Sequence, residues 1–144
     1  DTMIFEKNGK WWLLTTIDLS GIGDYSSELY LYYAESPLSE IWASHTNNPV
    51  YIDSEFARNG GLLRDGNNIY RVGQSQGFCC YGNKSNILKI EEISDDLYSE
   101  RLIAQIHPKF FKGIKGTHHI HSNSYVTVFD HVRRSRLKLT SMIS

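Results

Sequence analysis

The sequence predicts an all-β fold built from one recurring antiparallel unit. Three observations carry that prediction. Turn-flanked apolar segments return at a near-constant interval, the segments between them are short and rich in aromatic and β-branched residues, and helical periodicity is almost absent.

The first unit opens with Met3-Ile4-Phe5-Glu6-Lys7-Asn8-Gly9-Lys10-Trp11-Trp12-Leu13-Leu14, two apolar stretches around an Asn-Gly pair. Asn-Gly tolerates the left-handed backbone that tight hairpins need, so this reads as a β-hairpin. The same order returns in Gly61-Leu62-Leu63-Arg64-Asp65-Gly66-Asn67-Asn68-Ile69-Tyr70-Arg71, with Asp65-Gly66 expected at the turn, 57 positions after Asn8. A further 57 positions reach Ser122 in His118-His119-Ile120-His121-Ser122-Asn123-Ser124-Tyr125-Val126-Thr127-Val128. A third strand follows each of the first two hairpins, at 28–35 and 86–93. Val50-Tyr51-Ile52 and Leu102–Ile106 offer a fourth, and residues 97–106 are the one plausible short helix. Trp11, Trp12, Tyr30, Tyr32 and Tyr33 read as core packing.

Four short antiparallel strands per repeat of this length is the pattern of a β-propeller blade. The expected architecture is therefore about two and a half to three four-stranded blades of a five-bladed ring, with repeats near 1–57, 58–114 and 115–144. Propellers close with four to eight blades. The chain is accordingly expected to be the later part of a longer propeller, completed by blades of the same chain or another domain. The rival arrangement is an open two-sheet sandwich.

Composition bounds the function. The chain has 144 residues, 15 Lys+Arg against 16 Asp+Glu, a formal charge of -1 and 40% apolar residues. Near-neutrality removes the electrostatic case for a nucleic-acid binder, and no apolar run is long enough to span a membrane. Cys79 and Cys80 are adjacent, a spacing that suits neither an ordinary disulfide nor a common metal site. They read as free thiols on a loop, as in a reducing, cytoplasmic compartment. The basic run from Arg133 to Lys138 reads as a solvated strand edge. No cofactor is expected.

The opening segment Asp1-Thr2-Met3-Ile4-Phe5 with Asn8-Gly9-Lys10-Trp11-Trp12-Leu13 resembles the signature of five-bladed propeller glycosidases of the arabinanase and invertase type. The rest is more similar to the propeller domain at the N-terminus of glucosamine inositolphosphorylceramide transferases and to bacterial sugar-pathway relatives. The matching segments are Glu28–Leu38, Ala57-Arg58-Asn59-Gly60-Gly61, Tyr70-Arg71-Val72-Gly73-Gln74, Tyr81-Gly82 and Gly116-Thr117-His118. There are departures: Thr2 stands for a usual Pro, Ser75 for a usual acidic residue, and His131 for a usual Gly. The resemblance implies a carbohydrate-handling domain in glycan biosynthesis, taking a sugar or sugar-phosphate in a central channel. The alternatives are a glycoside hydrolase and a protein-binding scaffold; any enzyme here would be a glycosidase or glycosyltransferase-associated.

Glycoside hydrolysis needs two flanking carboxyl groups. Asp1 is the best-placed acid, since the resemblance puts it at the channel, and Glu55 is the second candidate. Arg58 precedes the Gly60-Gly61 start of an inner strand, where small residues allow close backbone approach and a guanidinium can fork onto a phosphate or hydroxyl pair. Its structural alternative is an ion pair with Asp53 or Glu55. Arg71 and Gln74 lie on the outgoing strand, Gln74 with both donor and acceptor for sugar hydroxyls. Tyr81 is placed to stack on a sugar ring, and His118 to donate to a substrate oxygen or carry a proton. His119 and His121 share a strand face but lack a third metal ligand.

Overall fold

The computed structural model describes residues 1–77, 80–123 and 125–133, and for residues 77, 80 and 81 the backbone only. Every element in it is a β-strand, so among the described residues no helix is long and apolar enough to cross a membrane.

The first sheet begins with β1 (Met3–Lys7) and β2 (Lys10–Thr16), joined by Asn8-Gly9. Both turn residues have positive φ, 57° and 76°, which matches the twist of the flanking strands. β3 (Glu28–Ala34) lies antiparallel on the far edge of β2. The outer edge of β3 is shared by two fragments, β4 (Ala43–Ser44) and β5 (Tyr51–Ile52). Between them the Asn48 side-chain amide bonds both the N–H (2.8 Å) and the C=O (2.7 Å) of Leu31, doing for the strand what a neighbouring backbone would do.

The second sheet is an uninterrupted four-strand meander: β6 (Asn59–Asp65), β7 (Asn68–Gly77), β8 (Cys80–Ile93) and β9 (Tyr98–Ile106). Its turn differs from the expected one. Asp65 pairs with Asn68, so Gly66-Asn67 forms the loop rather than Asp65-Gly66. The short helix considered over 97–106 is instead the edge strand β9, because β8 presents a full row of backbone groups that need partners. The two cysteines do not share a described loop. Cys80 opens β8, while Cys79 and the basic run beyond Arg133 lie outside the described residues.

The third unit is a hairpin in two pieces. β10 (Ile114–Gly116) pairs with β13 (Val132–Arg133), and β11 (Ile120–Ser122) pairs with β12 (Thr127–Phe129). The cross-strand partners Ile4↔Leu13, Leu62↔Arg71 and Ile120↔Phe129 are equivalent, and each step between them is 58 residues. The hairpins therefore repeat in strict register, one residue longer than the turn residues suggest, while the third strands shift: Leu13 faces Tyr32 and Arg71 faces Leu88.

That register fixes the packing. Phe5, Trp12, Leu14, Leu29 and Leu31 of the first sheet meet Ile69, Ile90 and Ile93 of the second. The opposite face of the second sheet offers Val72 and Ile87, with Leu63 and Tyr70, to Ile120 of the third. Trp12, Tyr70 and Val128 are equivalent positions, as are Leu13, Arg71 and Phe129, so each unit turns the same face toward its successor. Gly61 has φ of +130°, and a Cβ there would collide with the Ile120 carbonyl, so a glycine is what lets β6 and β11 lie together.

Candidate functional site

The first strands of the three units begin at the same end of the molecule, and the residues preceding or opening them form a connected polar cluster. At its centre is Arg58-Asn59-Gly60, leading into β6. The Arg58 Nε donates to the Asp1 carboxylate at 2.5 Å, with both side chains partly exposed. The partner is thus Asp1 rather than Asp53 or Glu55. Asn59, buried, donates its Nδ2 to the backbone oxygens of Asp1 (2.9 Å) and Leu14 (3.0 Å), tying the first unit to the second.

Gln74 reaches the same segment from β7. Its backbone N–H donates to Arg58 O at 2.7 Å and its Nε2 to Asn59 O at 2.5 Å. The Gln74 Oε1 and the hydroxyl of the adjacent Ser75 are buried without a partner among the described residues. Gly60 completes the joint: a Cβ there would strike His118 O on one side and the Gln74 side chain on the other. Asp1, Arg58, Gln74 and His118 are therefore gathered around three consecutive residues.

His118 is held from behind by Asp130. One carboxylate oxygen accepts the backbone N–H groups of His118 (3.0 Å) and His119 (2.9 Å), and the other faces His118 Nδ1. Thr117 Oγ1 also donates to Asp130 O at 3.0 Å. This clasp falls at the break between the two pieces of the third hairpin, fixing the backbone where strand pairing lapses. Asp130 escapes a reading of the sequence because the register hides it. At 58-residue steps it occupies the position of Leu14 and Val72, where a carboxylate is out of place, but a 57-residue step compares it with the wrong neighbours. Asn59 escapes because asparagine ordinarily marks turns rather than strand starts.

The other predicted residues fall elsewhere. Glu55 pairs with Lys84 at 3.1 Å on the flank of β8, and its carbonyl accepts from Asn86 Nδ2 at 2.7 Å. Each acid considered for hydrolysis is thus occupied by a cation. Arg71 is fully buried: its guanidinium grips Glu100 at 2.5 and 2.7 Å, and Glu100 also accepts from the Tyr98 hydroxyl. Burial works against the Arg71 charge, but the Glu100 carboxylate outweighs it and holds the guanidinium above its usual value. The Tyr98 phenol is pushed well up, first by burial and then by the same carboxylate. Arg71 therefore ties β7 to β9 and to the Ala57–Asn59 approach to β6 within the second sheet, and faces no opening. The side chain of Tyr81 lies outside the described residues, although its backbone belongs to β8. His119 and His121 are both exposed, and among the described residues no three of His, Cys, Asp and Glu converge as a metal centre requires.

The cluster offers a guanidinium and an imidazole at one rim, both partly exposed, with the buried Gln74 amide behind them; guanidinium and imidazole are groups that recognise phosphate and hydroxyl oxygens. Comparison with known proteins bears out the similarity to the N-terminal part of glucosamine inositolphosphorylceramide transferases. Two curated proteins, both named glucosamine inositolphosphorylceramide transferase 1, come from Oryza sativa subsp. japonica and Oryza sativa subsp. indica. Each is 35% identical over 106 residues, covering 69% of this chain. The match takes in only 14% of the length of these relatives. No solved structure matches. Residues 1–130 match the family described as glucosamine inositolphosphorylceramide transferase 1, N-terminal, and it is to this family that the chain belongs.

Proposed function

We propose that this chain is a carbohydrate-handling part of a β-propeller serving glycosphingolipid glycan synthesis. In this reading Arg58 and His118 hold a sugar or sugar-phosphate at the rim where β1, β6 and β11 begin, and the buried Gln74 braces the Arg58-Asn59 backbone behind them. One observation carries it: residues from three separate units converge on Arg58-Asn59-Gly60, an arrangement that strand pairing alone does not require. The propeller architecture draws support from the 58-residue register and from each unit presenting the same face to the next. The family's printed name supports the pathway and supplies glucosamine as a probe.

Asp1 has a defined part in this reading. It holds Arg58 in place without the ligand and gives way when a phosphate competes for the guanidinium. Calorimetric titration with glucosamine 1-phosphate and with glucosamine tests the proposal. Arg58→Ala is expected to weaken the phosphorylated sugar at least tenfold and to leave the neutral one almost unchanged. Equal affinities in wild type and variant would overturn the reading. Turnover of aryl glycosides would replace it with a hydrolytic one.

A further inference from the structure

Asp130 is pinned at four points. One carboxylate oxygen accepts the backbone N–H groups of His118 and His119, its own N–H donates to His119 O at 3.1 Å, and its carbonyl accepts from Thr117 Oγ1 at 3.0 Å. A carboxylate so held cannot turn its second oxygen away from His118 Nδ1 without giving up both backbone N–H bonds, which its charge makes the strongest in the clasp.

Nδ1 is also the enclosed nitrogen of the ring. Without a proton it would set a lone pair against an anionic oxygen, away from water. Nδ1 therefore carries a proton in the neutral ring as well as in the charged one. Imidazole in water favours the other tautomer, with the proton on Nε2, so the Asp130 contact reverses an intrinsic preference. The side chain of His118 is 25% exposed, and with Nδ1 enclosed that exposure belongs to the remainder of the side chain.

A neutral ring with its proton on Nδ1 has only a lone pair to offer at Nε2, so there it accepts and does not donate. The charges beside it favour a cationic donor. The two pairs at the rim, Arg58 with Asp1 and His118 with Asp130, comprise two carboxylates and one permanent cation. An anion bound at Arg58 adds to that negative excess, and a positive group on the same ligand offsets it.

We infer that Asp130 fixes His118 as a hydrogen-bond acceptor at the rim, and that the rim selects a zwitterionic amino-sugar phosphate, with the phosphate on Arg58 and the ammonium on His118 Nε2. A hydroxyl in place of the ammonium can either donate or accept, so it binds without regard to the tautomer. The ligand named here rests on the sugar-phosphate reading; the tautomer does not.

Nitrogen NMR spectra of isotope-labelled histidines, recorded on the full chain at about pH 7.5, roughly a unit above an ordinary imidazole, read the tautomer directly. His118→Ala identifies its signals among the six histidines. Wild type is expected to show Nδ1 protonated and Nε2 not. Asp130→Asn keeps a carbonyl oxygen for the two backbone N–H groups and turns its NH2 toward Nδ1, so it is expected to move the proton to Nε2. Calorimetric titration then compares glucosamine 1-phosphate with glucose 1-phosphate. Asp130→Asn and His118→Ala are each expected to weaken the amino sugar at least tenfold and the glucose ester distinctly less, whereas Arg58→Ala weakens both. A proton on Nε2 in wild type, or a spectrum unmoved by Asp130→Asn, would overturn the inference. So would equal losses for the two sugars, which would leave Asp130 a structural role only. If neither sugar phosphate binds wild type, the sugar-phosphate reading is overturned together with the ligand named here, and the tautomer stands or falls on the spectra alone.

Discussion

Arg58 and Arg71 share a side chain and occupy opposite settings. Arg58 holds Asp1 at the rim, partly exposed, where an exposed pair is worth little to stability and stays available for exchange. Arg71 and Glu100 are wholly enclosed, so breaking that pair strands a charge. Arg71→Met is expected to cost about 3–5 kcal/mol in urea unfolding, and Arg71→Met with Glu100→Leu distinctly less, since the double change leaves no orphaned carboxylate. Ser75 offers the reverse case. Its buried hydroxyl lacks a partner among the described residues, so Ser75→Ala is expected to be neutral or to stabilise by up to about 1 kcal/mol. Tyr30 supplies a pH dependence. Its hydroxyl donates to Glu28 at 2.6 Å, and that bond, with burial, pushes its phenol from 10 up to about 12. Folding favours the protonated phenol, so this contribution is whole below pH 10 and fades as the pH rises toward 12. The unfolding midpoint of Glu28→Ala is expected to fall less steeply across that window than wild type.

The strands differ in how openly the sequence announces them. Asn8-Gly9 encloses the turn it predicts because both residues accept positive φ. Asp65-Gly66 carries an equally good signal and loses, since moving the loop to Gly66-Asn67 puts Ile69 into the core at 2% exposure and turns Tyr70 toward the third unit. A single residue of slip inverts every side chain, which is why the repeat is visible from composition while its register is not. The fourth strand of the first sheet is legible only in part: Val50-Tyr51-Ile52 announces β5, but β4 goes unseen and the stretch between them is supplied by an asparagine side chain. Of the rim residues, Arg58, Gln74 and His118 are legible because their neighbours are glycines and strand ends. Asp130 needs the true register, and Arg71 looks like a ligand only until Glu100, 29 positions away, is seen against it. Gly61 is the element-scale test. Gly61→Ala faces both a strained φ and the Ile120 carbonyl, so a loss of about 3 kcal/mol and a loosened β6–β11 contact are expected, read by thermal unfolding and by exchange at Ile120.

Across the molecule, apolar stacking rather than charge joins the units. Lys10 and Asp95 link the first two at 2.6 Å, but both are partly exposed, so Lys10→Ala is expected to cost under about 1 kcal/mol. Leu31→Ala removes a side chain with no exposure at the same junction and is expected to cost about 2–5 kcal/mol. Chemical denaturation of the two variants side by side decides which kind of contact dominates. The order of the strands has a consequence of its own. Every strand of the second sheet is a sequence neighbour of the one beside it, and the first sheet is nearly so. Each sheet can therefore assemble as it leaves the ribosome, and the apolar face it then shows is covered by the next stretch of nascent chain, so synthesis itself meters how long that surface meets water.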